Sequence, residues 1–428
     1  MRTRKLSYVI CIILALMFLS VFLKNWVFSL FTLPLIILIF VSYISVAYQD
    51  LSFEVKRKIS GLRIIENNNA KIELNISNKG SAISFLEIYD RLPDRVELEE
   101  GSNYILTSLK KDESITIQYM INCPIRGYYK IGPTHLRVTD CFGFFYREKI
   151  IDNKKMLSVI PSIDDLGDIK PKSRSGIYPG FVHGKHSGIG TEFYGLREYT
   201  TTDTFKNINW KAFARWNKPM VNEYELESIT SVIIILDSRI NQNIGSVKNN
   251  PLEFNIKAAA SIASHFLKKR DQVGLIIYGK SNGKIHWIYP ESGKKQLDKI
   301  ITALIETEPD GEFTLDSMTR QAIMHLIPRK GLIILLSSLE DDESIPRAIE
   351  NIRARGYNLI VISPSPYDIE YSLGSYDTYS NLAYNILSLR RKNLITRIRK
   401  TGAIVVDWNP SIPLSLTLKE VEQYQIRR

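Results

Sequence analysis

Two apolar runs at the start of the chain constrain it most. Residues 6–23 are almost unbroken hydrocarbon side chains, and after Lys24 and Asn25 a second run covers residues 26–48. A helix crossing the hydrocarbon of a bilayer needs about 20 apolar residues, so each run suffices, the first barely. Pro34 within the second is tolerable in a membrane helix. No small-x-small cleavage pattern follows the first run and another apolar run comes at once, which favours a transmembrane helical hairpin over a cleaved signal peptide. Arg2, Arg4 and Lys5 precede the pair and Lys56, Arg57 and Lys58 follow it, whereas the turn offers only Lys24. The positive-inside rule then predicts a multi-pass protein of the cell membrane with its N-terminus and bulk in the cytoplasm. Its cysteines would stay reduced, and the sequon Asn75-Ile76-Ser77 would carry no sugar.

Composition narrows the remainder. The 428 residues suggest about three units at roughly 150 residues each. With 44% hydrophobic and 24% charged residues, a disordered, collagen-like or coiled-coil chain is ruled out. Cys11, Cys123 and Cys141 form no CxxC pair, and the six histidines show no HExxH spacing, so redox and zinc-hydrolase readings start far behind. The net charge of +11 suits an anionic leaflet or simply solubility.

Beyond the hairpin (residues 1–50), three stretches differ in pattern. Residues 51–160 alternate with period two, as in Lys71-Ile72-Glu73-Leu74-Asn75-Ile76, between turn clusters such as Asn78-Lys79-Gly80. That predicts an all-β immunoglobulin-like sandwich. Its aromatic-rich end, residues 126–145, reads as a contact surface or, preferably, as the last hairpin of the core. Residues 161–228 form a linking segment that begins rich in Pro, Gly, Ser and Lys. Residues 229–428 alternate short β-branched runs with amphipathic helices, predicting an α/β, doubly wound, mostly parallel sheet covered on both faces. Ligands in such a sheet sit beyond the carboxyl ends of the strands, where Asp237 closes the run Ser231-Val232-Ile233-Ile234-Ile235-Leu236-Asp237.

Several motifs carry less than their letters promise. Residues 274–281 match the phosphate-loop pattern G-x-x-x-x-G-K-S, but the strand occupies the x positions and Asn282-Gly283 turns into another strand. A phosphate loop needs the helix to start at the Lys, so a hairpin is predicted there. Asp341, Asp342 and Glu343 read as a helix-opening cap. The basic helix with Arg390, Arg391, Lys392, Arg397, Arg399 and Lys400 carries no interleaved aromatics and reads as a solvated face rather than a nucleic-acid surface. The richest mixture of carboxylates, Arg and aromatics lies in residues 190–225: Glu192, Phe193, Leu196, Arg197, Glu198, Tyr199, Asp203, Trp210, Arg215 and Glu223. It suits a recognition surface, since Arg, Trp and Tyr dominate interface hot spots. It equally suits an internal network in which Glu192, Arg197, Glu198, Asp203 and Arg215 satisfy one another.

Three blocks give the chain a resemblance. They are Arg126-Gly127-Tyr128 with Gly132-Pro133 and Asp140-Cys141-Phe142-Gly143; Glu192-Phe193 with Leu196-Arg197-Glu198-Tyr199, Asp203, Ile208-Asn209-Trp210 and Arg215; and residues 403–410. Together they resemble the prokaryotic family called domain of unknown function number 58. That resemblance implies paired membrane helices, a β-rich region, and a module similar to a von Willebrand factor type A domain. It also implies partnership with a MoxR-type AAA+ ATPase. Type A domains often hold a divalent ion through Asp-x-Ser-x-Ser, a distant Thr and a second Asp. Here Asp237 is kept and Thr314 fits the Thr, but Arg239, Asn241 and Ser338 stand where the two serines and the second acid belong. A hard cation wants several charged oxygen ligands, so no metal and no cofactor are expected. The resulting expectation is a non-enzymatic, membrane-anchored scaffold or adaptor. The rival is an enzyme whose carboxylates, such as Glu192 and Glu198, line a site between residues 192–215 and Asp237, with environments that separate their pKa values.

Overall fold

A computed structural model describes residues 3–167, 187–200, 203, 205–225, 231–323, 332–339, 344–374 and 378–418, without the side chains of residues 187–194, 207, 223–225, 322–323, 373 and 378. The chain divides into two units between Ile160 and Pro161.

In the first unit the apolar runs become α1 (Arg4–Phe22), α2 (Val27–Leu30) and α3 (Thr32–Ala47). Arg4–Phe22 has 19 residues and Val27–Ala47 has 21, each long and apolar enough to cross a membrane. At about 1.5 Å per residue such lengths match roughly 30 Å of hydrocarbon. Phe18, Phe22, Ile37 and Phe40 stay exposed along them, a surface suited to lipid.

The strands that follow are β1 (Phe53–Ile59), β2 (Arg63–Ile65), β3 (Asn69–Asn78), β4 (Ile83–Asp90), β5 (Glu97–Gly101), β6 (Tyr104–Leu109), β7 (Ser114–Asn122), β8 (Gly127–Ile131), β9 (Thr134–Thr139), β10 (Tyr146–Ile151) and β11 (Lys155–Ile160). Sheets of order β1-β3-β7-β5 and β10-β9-β4-β6 are antiparallel throughout, and a third, β2-β11-β8, includes the parallel pair β2/β11. The period-two pattern has its expected result: Ala70, Ile72, Leu74 and Ile76 are buried on one face of β3. They join Leu86, Ile88, Leu136 and Val138 from the second sheet and Leu157 and Val159 from the third in one core.

Arg57 departs from its expected place on the membrane flank. It lies inside this core, where Nη1 donates to the carbonyls of Ile131 and Asn153, both at 2.7 Å, and Nη2 pairs with Asp90. The other Asp90 oxygen accepts from the Tyr119 hydroxyl at 2.5 Å, and burial beside that carboxylate holds the phenol well above its usual range. A charge survives burial only when paired and hydrogen-bonded, and Asp90 supplies that partner. The cationic flank therefore rests on Lys56 and Lys58, not Arg57. The aromatic end of the module divides: Tyr129 and Phe144 are buried while Phe142 is exposed.

The second unit opens with β12 (Ser187–Glu198) and β13 (Met220–Glu225), an antiparallel pair with register shifts around Phe193, and α4 (Trp210–Trp216) lies between them in sequence. The family-motif part of the linking segment thus contains a strand pair, with Leu196 opposite Asn222 and Val221 opposite Arg197. Its Pro- and Gly-rich portion, residues 168–186, falls outside the described residues.

The α/β sheet has β14 (Ser231–Asp237), β15 (Gln272–Tyr278), β16 (His286–Glu291), β17 (Leu332–Leu336), β18 (Asn358–Pro364) and β19 (Ile404–Trp408) in the order β16-β15-β14-β17-β18-β19. All pairs are parallel except β15/β16. The helices are α5 (Pro251–Lys268), α6 (Lys294–Ile305), α7 (Leu315–Met318), α8 (Ser344–Ala354), α9 (Pro366–Leu373) and α10 (Thr378–Lys400). Val232, Ile234 and Leu236 of β14 pack with Ile256 and Phe266 of α5 on one face. Ile233 and Ile235 pack with Ile345 and Ile349 of α8 on the other. Burial on both faces is why β14 reads as a continuous apolar run.

Three details add to the sequence reading. Helix α7 passes directly into a π-helical turn, Thr319–Ile323. Helix α9 was not anticipated; the Ser365 hydroxyl caps it, accepting from Asp368 N–H. In the basic helix, Arg391 is buried rather than solvated: it pairs with Asp407 and donates to the carbonyls of Ser338 and Ser363. The Asp341, Asp342 and Glu343 cluster lies outside the described residues.

Candidate functional site

The carboxylate at the sheet edge is closed. Asp237 is fully buried. Its Oδ1 accepts from the backbone N–H of Arg239 at 3.1 Å and from Arg239 Nε at 3.0 Å. Its Oδ2 accepts from Arg239 Nη2 at 2.8 Å, Ser337 Oγ at 2.7 Å and Gln242 Nε2 at 3.2 Å. Gln242 also bridges Ser338, accepting from its N–H at 3.0 Å and donating to its hydroxyl at 2.9 Å, and donates to Asn241 Oδ1 at 3.2 Å. Thr314 serves elsewhere as the N-cap of α7, accepting from Ser317 N–H. These residues do not fit a divalent cation, because a guanidinium already occupies the carboxylate and the oxygens that remain are neutral. Among the described residues no group of three or more His, Cys, Asp or Glu is gathered as a ligand set.

Glycine makes this closure possible. Gly279 has φ +123°, and a Cβ there would lie 2.6 Å from the Arg239 backbone N. Gly279 is the second glycine of the phosphate-loop look-alike. Its strand, β15, turns back antiparallel as β16, so no helix N-terminus faces a phosphate. Sequence reasoning singled out Asp237, Arg239, Asn241 and Ser338 here but missed Gln242, Ser337 and Arg391. A polar residue three positions after Arg239 was the one available signal.

The segment around α4 is open by contrast. Asn209 starts the helix, its side chain accepting from Ala212 N–H at 3.0 Å and donating to Asn222 of β13 at 2.8 Å. Asn217 ends it in the left-handed conformation that Asn tolerates. Arg197 and Asp203 form a forked pair, with Nη1 to Oδ2 at 2.7 Å. Thr200 adds its N–H at 2.9 Å and its hydroxyl at 2.8 Å to the same carboxylate. The Arg197 hydrogen bond, then those of Thr200, hold the Asp203 carboxyl well below the usual carboxylate range.

Among the described side chains, the expected internal network is present in the Arg197–Asp203 pair. Glu198 pairs with Lys218 at the surface, and among the described residues Arg215 has no ion-pair partner. The backbone places Phe193 opposite Tyr224 and Leu196 opposite Asn222, while the side chains of Glu192, Phe193 and Glu223 lie outside the described residues. Tyr199 packs on Phe205 at 5.6 Å.

What remains uncovered is aromatic. Phe205 is 72% exposed, Trp210 65% and Trp216 54%. Phe213, edge-on to Trp210 at 6.2 Å, is partly exposed as well. Trp210, Phe213 and Trp216 recur every three residues, close to one helical face. Exposed Lys206, Lys211 and Arg215 are interspersed among them.

Residues 195–366 match the family model described as protein of unknown function DUF58, a span from within β12 to the start of α9. No curated protein matches the chain. Among solved structures, an aerotolerance-related membrane protein from Bacteroides fragilis is 16% identical, covers 46% of this chain and 100% of its own, and has a TM-score of 0.31. Proximal thread matrix protein 1 from the mussel byssus is 11% identical, covers 45% of this chain and 46% of its own, at TM-score 0.29. A CARDB domain from Pyrococcus furiosus is 15% identical, covers 27% and 96%, at TM-score 0.20. TM-scores this low carry no argument about fold or function.

Proposed function

We propose, taking as premise that residues 195–366 are a DUF58 region, that this protein is a membrane-anchored, non-enzymatic protein-interaction scaffold. In this reading the hairpin spans the bilayer twice with both flanks in the cytoplasm, the β module is an immunoglobulin-like spacer, and the α/β module is von Willebrand factor type A-like. The partner is a protein, by family resemblance a MoxR-type AAA+ ATPase.

The observation that carries the reading is the uncovered aromatic face of α4 and Phe205. Leaving two Trp and a Phe in water forgoes a large burial gain, on the order of 25 cal/mol per Å² of apolar surface. Aromatic residues with Arg beside them are the composition of binding hot spots. The rival active site finds less support. Glu198 is a surface residue paired with Lys218, and Asp237 is enclosed by donors, so neither is poised for proton transfer in a shared cleft.

The test is crosslinking from intact membranes followed by affinity capture of the full-length chain. Trp210→Ala and Trp216→Ala are each expected to weaken capture of the main partner by about 2 kcal/mol, roughly 30-fold. Capture of every partner at unchanged strength by the double variant would remove this face as the interface.

A further inference from the structure

The hairpin helices do not close on each other along their whole length. Leu6 and Ile10 of α1, Ile36, Phe40 and Tyr43 of α3, and Phe145 line an apolar groove of about 510 Å³. That volume lies within the range of small-molecule sites, about 300–1,000 Å³. These positions run over the starting turns of α1 and along α3 from Ile36 to Tyr43, toward the hairpin end that joins the β module.

The same end carries a polar collar built from the loop after β9. Thr3 N–H donates to Phe144 O at 3.0 Å, and the Thr3 hydroxyl donates to Gly143 O at 2.7 Å. Tyr43 meets Phe145 edge to face at 5.5 Å. Arg147 Nη1 donates to the carbonyls of Val46 and Ala47, which the end of α3 leaves unsatisfied, and to that of Gln49 just beyond it. Lys5 Nζ lies beside Gly143. Phe142 stacks on Phe144 at 5.8 Å and remains exposed, as aromatic side chains do at headgroup level. Asp140, the nearby acid, is occupied by the N–H groups of Phe142 at 3.0 Å and Phe145 at 2.7 Å. Among the described residues, Lys5 and Arg147 have no carboxylate partner.

We propose that the groove holds one acyl chain of an anionic glycerophospholipid, whose phosphate meets Lys5 and Arg147 at the collar. Hydrocarbon does not leave an apolar groove empty, because unfilled walls lose their dispersion contacts. A zwitterionic lipid would fill the space equally well, so the two unneutralised cations set the preference for net negative charge. The proposal rests on the membrane-spanning reading of the hairpin.

The experiment reconstitutes the full-length chain with equimolar phosphatidylglycerol and phosphatidylcholine, then counts retained lipid by native mass spectrometry. One phosphatidylglycerol per chain is expected, enriched over phosphatidylcholine on the order of 10-fold, with Lys5→Gln lowering the enrichment about five-fold. Ile10→Trp, which fills the groove, should lower retention of both lipids. Equal retention of the two lipids, or a groove-filled variant that holds as much lipid as the parent, overturns the proposal. So does recovery of a second polypeptide in place of lipid. Alkaline extraction of the same membranes separates the two layers of the argument. Release of the protein defeats the spanning reading, whereas a protein that stays in the membrane yet retains no lipid defeats the groove alone.

Discussion

Arg239 shows how one side chain changes what an edge carboxylate can do. A hydroxyl two residues after Asp237 would add a neutral oxygen ligand beside the carboxylate; the guanidinium instead pairs with both carboxylate oxygens and places a positive charge there. Removing it strands a buried charge, so Arg239→Ala is expected to destabilise the second unit by about 3–5 kcal/mol, measured as a lowered denaturation midpoint of the full-length protein. Asp203 is coupled to pH in the acid direction. Its carboxyl sits below the ordinary value near 3.9, so the tie to Arg197 and Thr200 is fully formed above that pH. It weakens only as pH falls through the depressed value. A carboxyl-carbon NMR titration should show this, and Arg197→Gln should raise the Asp203 transition toward the ordinary value while leaving it below, because Thr200 still donates its N–H and hydroxyl to the carboxylate. Asp237 was legible in the sequence because it ends an apolar strand, and Arg239 because it stands where the type A pattern implied by the resemblance has a serine. Ser337 was not, since the sheet brings it to Asp237 from 100 residues away.

Among the elements, the clearest dependence on geometry is the turn after β15. Gly279 and Gly293 both have φ in the left-handed half, at +123° and +93°, but only Gly279 has backbone where a Cβ would go. Both alanine substitutions carry conformational strain on the order of 1–3 kcal/mol. Gly279→Ala should cost distinctly more, in a side-by-side urea titration, because it also pushes on Arg239. Equal losses would show that the approach of the two backbones is not tight. The β-strands and the doubly covered sheet were readable from period two and from unbroken apolar runs, which depend on nearest neighbours. Helix α9 was not, since its N-cap Ser365 follows directly on the end of β18 and leaves no intervening loop signal.

For the whole molecule the decisive property is which side of the membrane the two units occupy. Cys141 is exposed, whereas Cys123 is buried, its thiol pushed up by burial to about 11. In a Cys11→Ser background, a membrane-impermeant maleimide should leave intact cells unlabelled and modify Cys141 after permeabilisation. Cys123 should react only on denaturation. Labelling of Cys141 in intact cells would reverse the proposed orientation.

The sequence by itself determined the lipid-suited hairpin, the alternating strands of the β module and the two-faced burial of the α/β sheet. Each follows from the spacing of apolar residues within one element. Only the tertiary structure decided that Arg57, Arg239 and Arg391 are interior, and that Phe205, Trp210 and Trp216 stay uncovered. A buried charge is tolerated or refused according to partners delivered from distant segments, and an aromatic ring is core or surface according to whether another element arrives to cover it.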